Sequence, residues 1–84
     1  MYEVVFDGPA IASLSKLPNQ LKERIFSKIL SAKADPFHFF ERLEGRADYK
    51  LRVGDYRIIA DIDQTKRKIE VTRIGHRKNV YDKA

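Results

Sequence analysis

The sequence contains no cysteine and only two histidines, His38 and His76, far apart along the chain. Disulfides cannot hold this protein together, and a Cys-based zinc site is excluded. Two isolated histidines do not make a metal site either. No apolar run approaches the ~20 residues that cross a bilayer. The opening stretch MYEVVFDGPA has no basic region followed by an apolar one, so it does not read as a secretory signal. The expectation is a soluble, cytoplasmic protein. Length narrows the answer further: 84 residues make one small domain with no room for a second core. A chain this short buries only about 60% of its unfolded surface. Its stability must come from a compact sheet packed on amphipathic helices.

Acidic charge is scarce where basic charge is plentiful. Residues 1–41 hold five Lys/Arg and five Asp/Glu, whereas residues 42–84 hold twelve and seven, so the whole net charge of +5 lies in the second half. That asymmetry fits docking of nucleic acid, or of an acidic protein, on the C-terminal half. Lysines scattered for solubility are the competing reading.

Along the chain, Tyr2–Phe6 is short, β-branched and aromatic, and reads as a strand. Asp7-Gly8-Pro9 then starts a helix, with Asp7 as candidate N-cap and Pro9 near the first helical position. Ala10, Ile11, Leu14 and Leu17 supply its apolar stripe. Pro18 breaks it and opens a second helix, in which Leu21, Ile25 and Ile29 repeat at i+4 and Phe26 and Leu30 widen the stripe. Lys22, Glu23 and Lys28 are expected to face water. Asp35-Pro36 ends the helix. Residues 37–45 read as an irregular linker whose aromatics cover the end of the sheet. Strands follow at Tyr49–Val53, Tyr56–Asp63 and Lys68–Ile74, with Gln64–Arg67 as a hairpin loop, and a polar tail ends in a loose helical turn. The order predicts an α+β domain, β-α-α-β-β-β, with two N-terminal helices packed on a largely antiparallel four-stranded sheet.

The run YKLRVGDYRIIADID carries the most specific signal. A two-residue Gly54-Asp55 connection marks a hairpin and pairs Val53 with Tyr56, Arg52 with Arg57, and Leu51 with Ile58. Directly opposed residues share a face, so Arg52 and Arg57 stand side by side, and Lys50 points the same way. Like charges so placed destabilise a hairpin by roughly 0.2–1 kcal/mol. A chain that keeps them points to an anion, with phosphate the first candidate. Tyr49 and Tyr56 alternate with the cations and should face the helices. Beyond Asp55, Asp61 and Asp63 this region offers no carboxylates, while metal-dependent nucleases gather them around their ion. A metal-free route fits better, and no cofactor is called for.

These elements and residues resemble the RelE family of bacterial and archaeal toxins over nearly the whole chain, as a single domain of residues 1–84. The similarity runs from Phe6-Asp7 to Leu14, through Leu43-Glu44-Gly45 and the Tyr49–Ile58 hairpin, to Ile74-Gly75-His76-Arg77-Lys78-Asn79-Val80-Tyr81. The resemblance implies the toxin of a type II toxin–antitoxin system that cuts mRNA in the ribosomal A site without a metal ion. In that chemistry the ribose 2′-OH attacks the neighbouring phosphate, leaving a 2′,3′-cyclic phosphate and a 5′-OH. It further implies a RelB-like antitoxin, small and acidic with an amphipathic helix, as cognate partner.

Residue by residue, the resemblance makes Arg57 a contact to the scissile phosphate, a task that suits a bidentate, permanently charged group. The competing reading pairs it with Asp55 or Asp61. Lys50 matches a lysine proposed as general base, and cationic neighbours favour the neutral amine that this role requires. A charged lysine holding phosphate would serve as well. Arg52 stands where catalytic members often carry a second lysine, which keeps a phosphate contact but not a proton transfer. Arg77 follows Gly75-His76 as the family's C-terminal arginine follows its glycine. Tyr81 matches the tyrosine that stacks on a codon base, though closer to Arg77 than in well-known members. His76 replaces a lysine and could act as acid, base or structural support. His38 is expected to be packing or surface.

Two alternatives keep the fold and change the activity. The same superfamily contains ParE-type toxins, which bind DNA gyrase. The Arg52 replacement and shortened tail also leave room for a weak or inactive homologue that only binds RNA or its antitoxin.

Overall fold

The computed structural model describes residues 1–78. The chain runs β1 (Glu3–Phe6), α1 (Gly8–Ser15), α2 (Asn19–Ala32), α3 (Pro36–Phe39), β2 (Glu41–Arg42), β3 (Tyr49–Val53), β4 (Tyr56–Asp63) and β5 (Lys68–His76). The strands form one sheet in the order β1-β5-β4-β3-β2, in which β1 pairs parallel to β5 and the other neighbours are antiparallel. The expected α+β class holds. The linker expected over residues 37–45 is instead a short helix and a fifth, two-residue strand, whose pairing with Tyr49 and Lys50 brings Phe40 into the core. No helix among the described residues is long and apolar enough to cross a membrane.

Helices α1 and α2 lie against one face of the sheet. Ile25 and Ile29 of α2 and Ala10 and Leu14 of α1 are buried with Leu51, Ile58, Ile69 and Val71. The apolar stripe of each helix is narrower than its sequence suggests. Ile11 is 54% exposed and Leu30 62%, and Phe26 is exposed but meets the edge of Phe6 with ring centroids 5.9 Å apart. A helix that packs on a sheet from one side buries its i, i+4 line. Residues one step further round, as 26 and 30 are from 25 and 29, rotate by about 100° towards solvent.

Asp7 occupies the N-cap position of α1, with φ −66° and ψ 159°, but its carboxyl makes no capping bond. It lies instead within hydrogen-bonding reach of Glu70, while Asp7 N–H donates to Val71 O at 2.9 Å.

At the β3–β4 turn only Gly54 of the two loop residues has positive φ, +59°, which is the type II′ pattern. The pairs Val53–Tyr56, Arg52–Arg57 and Leu51–Ile58 follow, as that loop length requires. The β4–β5 pair contains a bulge: Ile59 is opposite Arg73 but Ala60 is opposite Val71, so Thr72 is the extra residue. Its hydroxyl donates to Ile59 O at 3.3 Å. This one insertion decides which side chains reach the sheet face away from the helices.

Candidate nucleic-acid site on the open sheet face

On that open face the residues fall into rows across the strands. At the hairpin end one row runs Arg52 (β3), Arg57 (β4), Gly75 (β5). The next runs Lys50, Ile59, Arg73. The structure therefore brings together Lys50, Arg52 and Arg57, as the loop length predicted. It adds Arg73, which the sequence reading missed. The missed signal is the break in alternation at Val71-Thr72-Arg73-Ile74, where a bulge moves Arg73 to the open side and Ile74 to the core. Ile59 is only 2% exposed although it stands outside the main core cluster. It gives the second row an apolar centre, flanked in register by two cations whose stems can cover apolar surface.

Arg57 is half-buried. It forms no ion pair among the described residues, so pairing with Asp55 or Asp61 is not what holds it. Its Nη1 donates to its neighbour's Tyr56 O over a long 3.4 Å. Its Nε is buried and has no hydrogen-bond partner. A buried donor left unpaired costs about 1–3 kcal/mol, more when charged, and calls for an explanation. Its register partner on β5 is Gly75, which has no side chain to occupy the ground beside the guanidinium. An anion seated there would satisfy Nε and relieve the repulsion between Arg52 and Arg57.

His76 and Arg77 are placed differently. His76 is opposite Tyr56 and therefore on the helix side of the sheet, its ring edge-on to the tyrosine at 5.5 Å. Its Nδ1 accepts the Lys78 backbone N–H at 3.2 Å, which in the neutral ring leaves the proton on Nε2. The sheet separates this imidazole from the row of cations. Arg77 is exposed just past the end of β5, and its N–H donates to Asp55 O at 2.8 Å, which ties it to the hairpin turn. Tyr81 lies outside the described residues. Tyr49 faces the helices as expected and packs against the core.

The far end of the same face is acidic. Asp61 pairs with Glu70, and Asp7 approaches Glu70 from the end of β1. The Asp7 carboxyl, through a hydrogen bond and then through like-charge repulsion, raises the Glu70 pKa above its ordinary 4.5, and Lys68 opposes the shift. Among the described residues no group of three or more His, Asp or Glu side chains is arranged to hold a metal ion.

Residues 4–81 match the family described as the ParE toxin of the type II toxin–antitoxin system parDE. No curated protein matches. Among solved structures, the chain is similar to one in the toxin–antitoxin complex RelBE2 from Mycobacterium tuberculosis, with TM-score 0.80 and 24% identity over 89% of this chain and 96% of that one. The isolated E. coli RelE toxin gives TM-score 0.80 and 23% identity, covering 99% of this chain and 94% of that one. A YoeB/ParE toxin from Agrobacterium tumefaciens gives TM-score 0.75 and 18% identity, covering 88% and 96%. At these identities the likeness speaks for the fold.

Proposed function

The chain belongs to the family of ParE toxins of type II toxin–antitoxin systems, and from that premise we propose that it is an endoribonuclease of the RelE kind, cutting mRNA in the ribosomal A site. The observation that carries this reading is Arg57: a half-buried guanidinium with an orphaned Nε, set beside Arg52 and Gly75 and ion-paired to no carboxylate among the described residues. Guanidinium groups hold phosphorane oxygens in two-point contact and never lose their charge. Such electrostatic clamping is typically worth ~10²–10³-fold in rate.

In the proposed reaction the ribose 2′-oxygen attacks phosphorus, the P–O5′ bond breaks, and a 2′,3′-cyclic phosphate and a 5′-OH result. Arg57 and Arg52 hold the non-bridging oxygens. Removal of the 2′-OH proton falls to Lys50, the one lysine in these two rows of cations. Arg77, tethered to the hairpin turn, faces the charge developing on the leaving oxygen, which takes its proton from solvent. Tyr81 is the proposed stacking platform for a base. His76, across the sheet, supports the Tyr56 end of β4 and takes no proton in this scheme. A RelB-like acidic antitoxin is the proposed inhibitor, meeting the cationic rows with complementary charge.

Primer extension on mRNA held in ribosomes, with EDTA present, tests the proposal. The expected result is new A-site ends that require the ribosome and vanish with Arg57→Ala. No ends from folded, antitoxin-free protein would overturn it. The second reading, a gyrase-directed toxin, is favoured by the ParE family match and by Arg52 standing in place of lysine; inhibition of gyrase supercoiling with mRNA left intact would identify it.

A further inference from the structure

We propose that the groove between α2 and the edge of β3 binds the sugar–phosphate backbone of the same single RNA strand that crosses Arg57. The site would then continue around the edge of the sheet. This inference rests on the open face being an RNA site and concerns how far the strand is held beyond the scissile phosphate.

β2 covers only Tyr49 and Lys50 of β3, so among the described residues no strand pairs with Leu51–Val53 on the outer side. Arg52 sits on this uncovered stretch and is exposed. It belongs to the cationic row of the open face and also lines a groove of about 720 Å³ against α2. The helix contributes Gln20, Arg24, Ser27, Lys28 and Ser31, a stripe at three- and four-residue spacing that runs for ~16 Å. The Arg24 guanidinium reaches the hairpin turn: a Cβ on Gly54 would lie 3.4 Å from its Nη2. Gly54 thus admits Arg24 beside Arg52.

Arg24, Lys28 and Arg52 form no ion pairs among the described residues, and Glu23 is the groove's single acid. Three unpaired cations with neutral donors between them match a run of phosphates. An antitoxin helix would need apolar ground, and the groove's one aliphatic side chain, Val53, is itself only 6% exposed. The excess of cations over the single acid therefore favours RNA over a protein segment.

The test uses purified, antitoxin-free protein and a short, unstructured, labelled single-stranded RNA, with Kd measured across a salt series. Each phosphate contact contributes ~0.7 to the slope of log K against log salt. Arg24→Gln/Lys28→Gln should lower that slope by about 1.4 and weaken binding most at low salt. Lys16→Gln/Lys66→Gln, exposed positions outside the groove that remove the same charge, should leave the slope nearly unchanged. An unchanged slope in a groove variant that melts like wild type would overturn the proposal. So would equal losses in both double variants, or a groove variant that keeps RNA but loses antitoxin. Cleavage on ribosomes is scored separately. A wild-type protein whose RNA slope depends on Arg24 and Lys28, yet cuts nothing, would sink the nuclease reading and leave the groove standing. One that cuts while the slope ignores the groove variant would sink the groove alone.

Discussion

The two ends of the open sheet face place like charges opposite each other in opposite ways. At the hairpin end Arg52 faces Arg57; at the far end Asp61 faces Glu70, with Asp7 beside it. The acidic end can discharge itself, because Glu70 takes up a proton more readily than a free carboxyl and Lys68 lies close by. The cationic end has no such release, since guanidinium groups do not deprotonate. Its repulsion persists until something negative arrives. Similar geometry is therefore self-limiting at one end and ligand-demanding at the other. This contrast, more than net charge, supports the proposal that the hairpin end is the working end.

The sharpest way to break the contrast is to remove the demand. Arg57→Gln keeps the aliphatic stem but deletes the charge and the orphaned Nε. Cleavage on programmed ribosomes should fall by ~10²–10³-fold, while urea unfolding should show stability raised by about 0.5 kcal/mol as the Arg52–Arg57 repulsion is lost. A structural arginine would behave in the opposite way, losing stability with little change in rate.

A second comparison sets the two faces of β4 against each other. Ile58 is fully buried in the main core, while its neighbour Ile59 is equally hidden on the open face but outside that core. Truncation of a buried isoleucine costs about 2–5 kcal/mol, depending on how well the surroundings collapse. Ile58→Ala should fall near the top of that range, because its neighbours are fixed by sheet and helix. Ile59→Ala should fall near 2 kcal/mol, since the long cationic side chains flanking it can settle into the space. Equal losses in denaturant titrations would mean that the open face is as rigidly packed as the core.

The turn that aligns the cations carries a smaller load. Gly54 holds φ at +59°, where an L-residue is strained. Gly54→Ala should lower stability by about 1 kcal/mol, or roughly 4–8 °C in Tm for a domain of this size. Its cleavage should stay within a few-fold of wild type if charge, rather than turn geometry, carries the site. A Tm that does not move would show that the turn can change type without disturbing the pair.

Much of this was legible in the sequence, and the reasons for the rest are local. Loop length fixes register, so Gly54-Asp55 was enough to place Arg52 against Arg57. Beyond the second hairpin the same logic misleads. Extending the Asp63–Lys68 register without interruption would turn Arg73 towards the core and pair Tyr56 with Gly75. The Thr72 bulge instead turns Arg73 to the open face and pairs Tyr56 with His76, on the other side from the cations. One inserted residue thus accounts for both the missed arginine and the displaced histidine. Local sequence favours the Asp7 carboxyl as a helix cap, whereas its partner Glu70 comes from a strand distant in sequence. Contacts of that kind are set by tertiary structure.

The acidic end offers the finest test of the contrast, because its discharge should be visible as a pH dependence. Glu70 has its folded pKa raised above the ordinary 4.5, first through the Asp7 hydrogen bond and then through repulsion. The folded state therefore holds the proton more tightly than the unfolded chain. This contribution to stability is fully present below the unfolded pKa and is lost as pH rises through the folded one. Glu70→Gln keeps a hydrogen-bonding group and removes the titration. Its stability relative to wild type should rise as pH is taken upwards from 4.5, and level off once the pH has passed the folded pKa, with the variant the more stable. Asp7→Asn, which removes the cause, should flatten the same pH profile from the other side. Parallel profiles for the variants and wild type would mean that the carboxyl pair does not share a proton, and the two ends of the face would then differ only in sign.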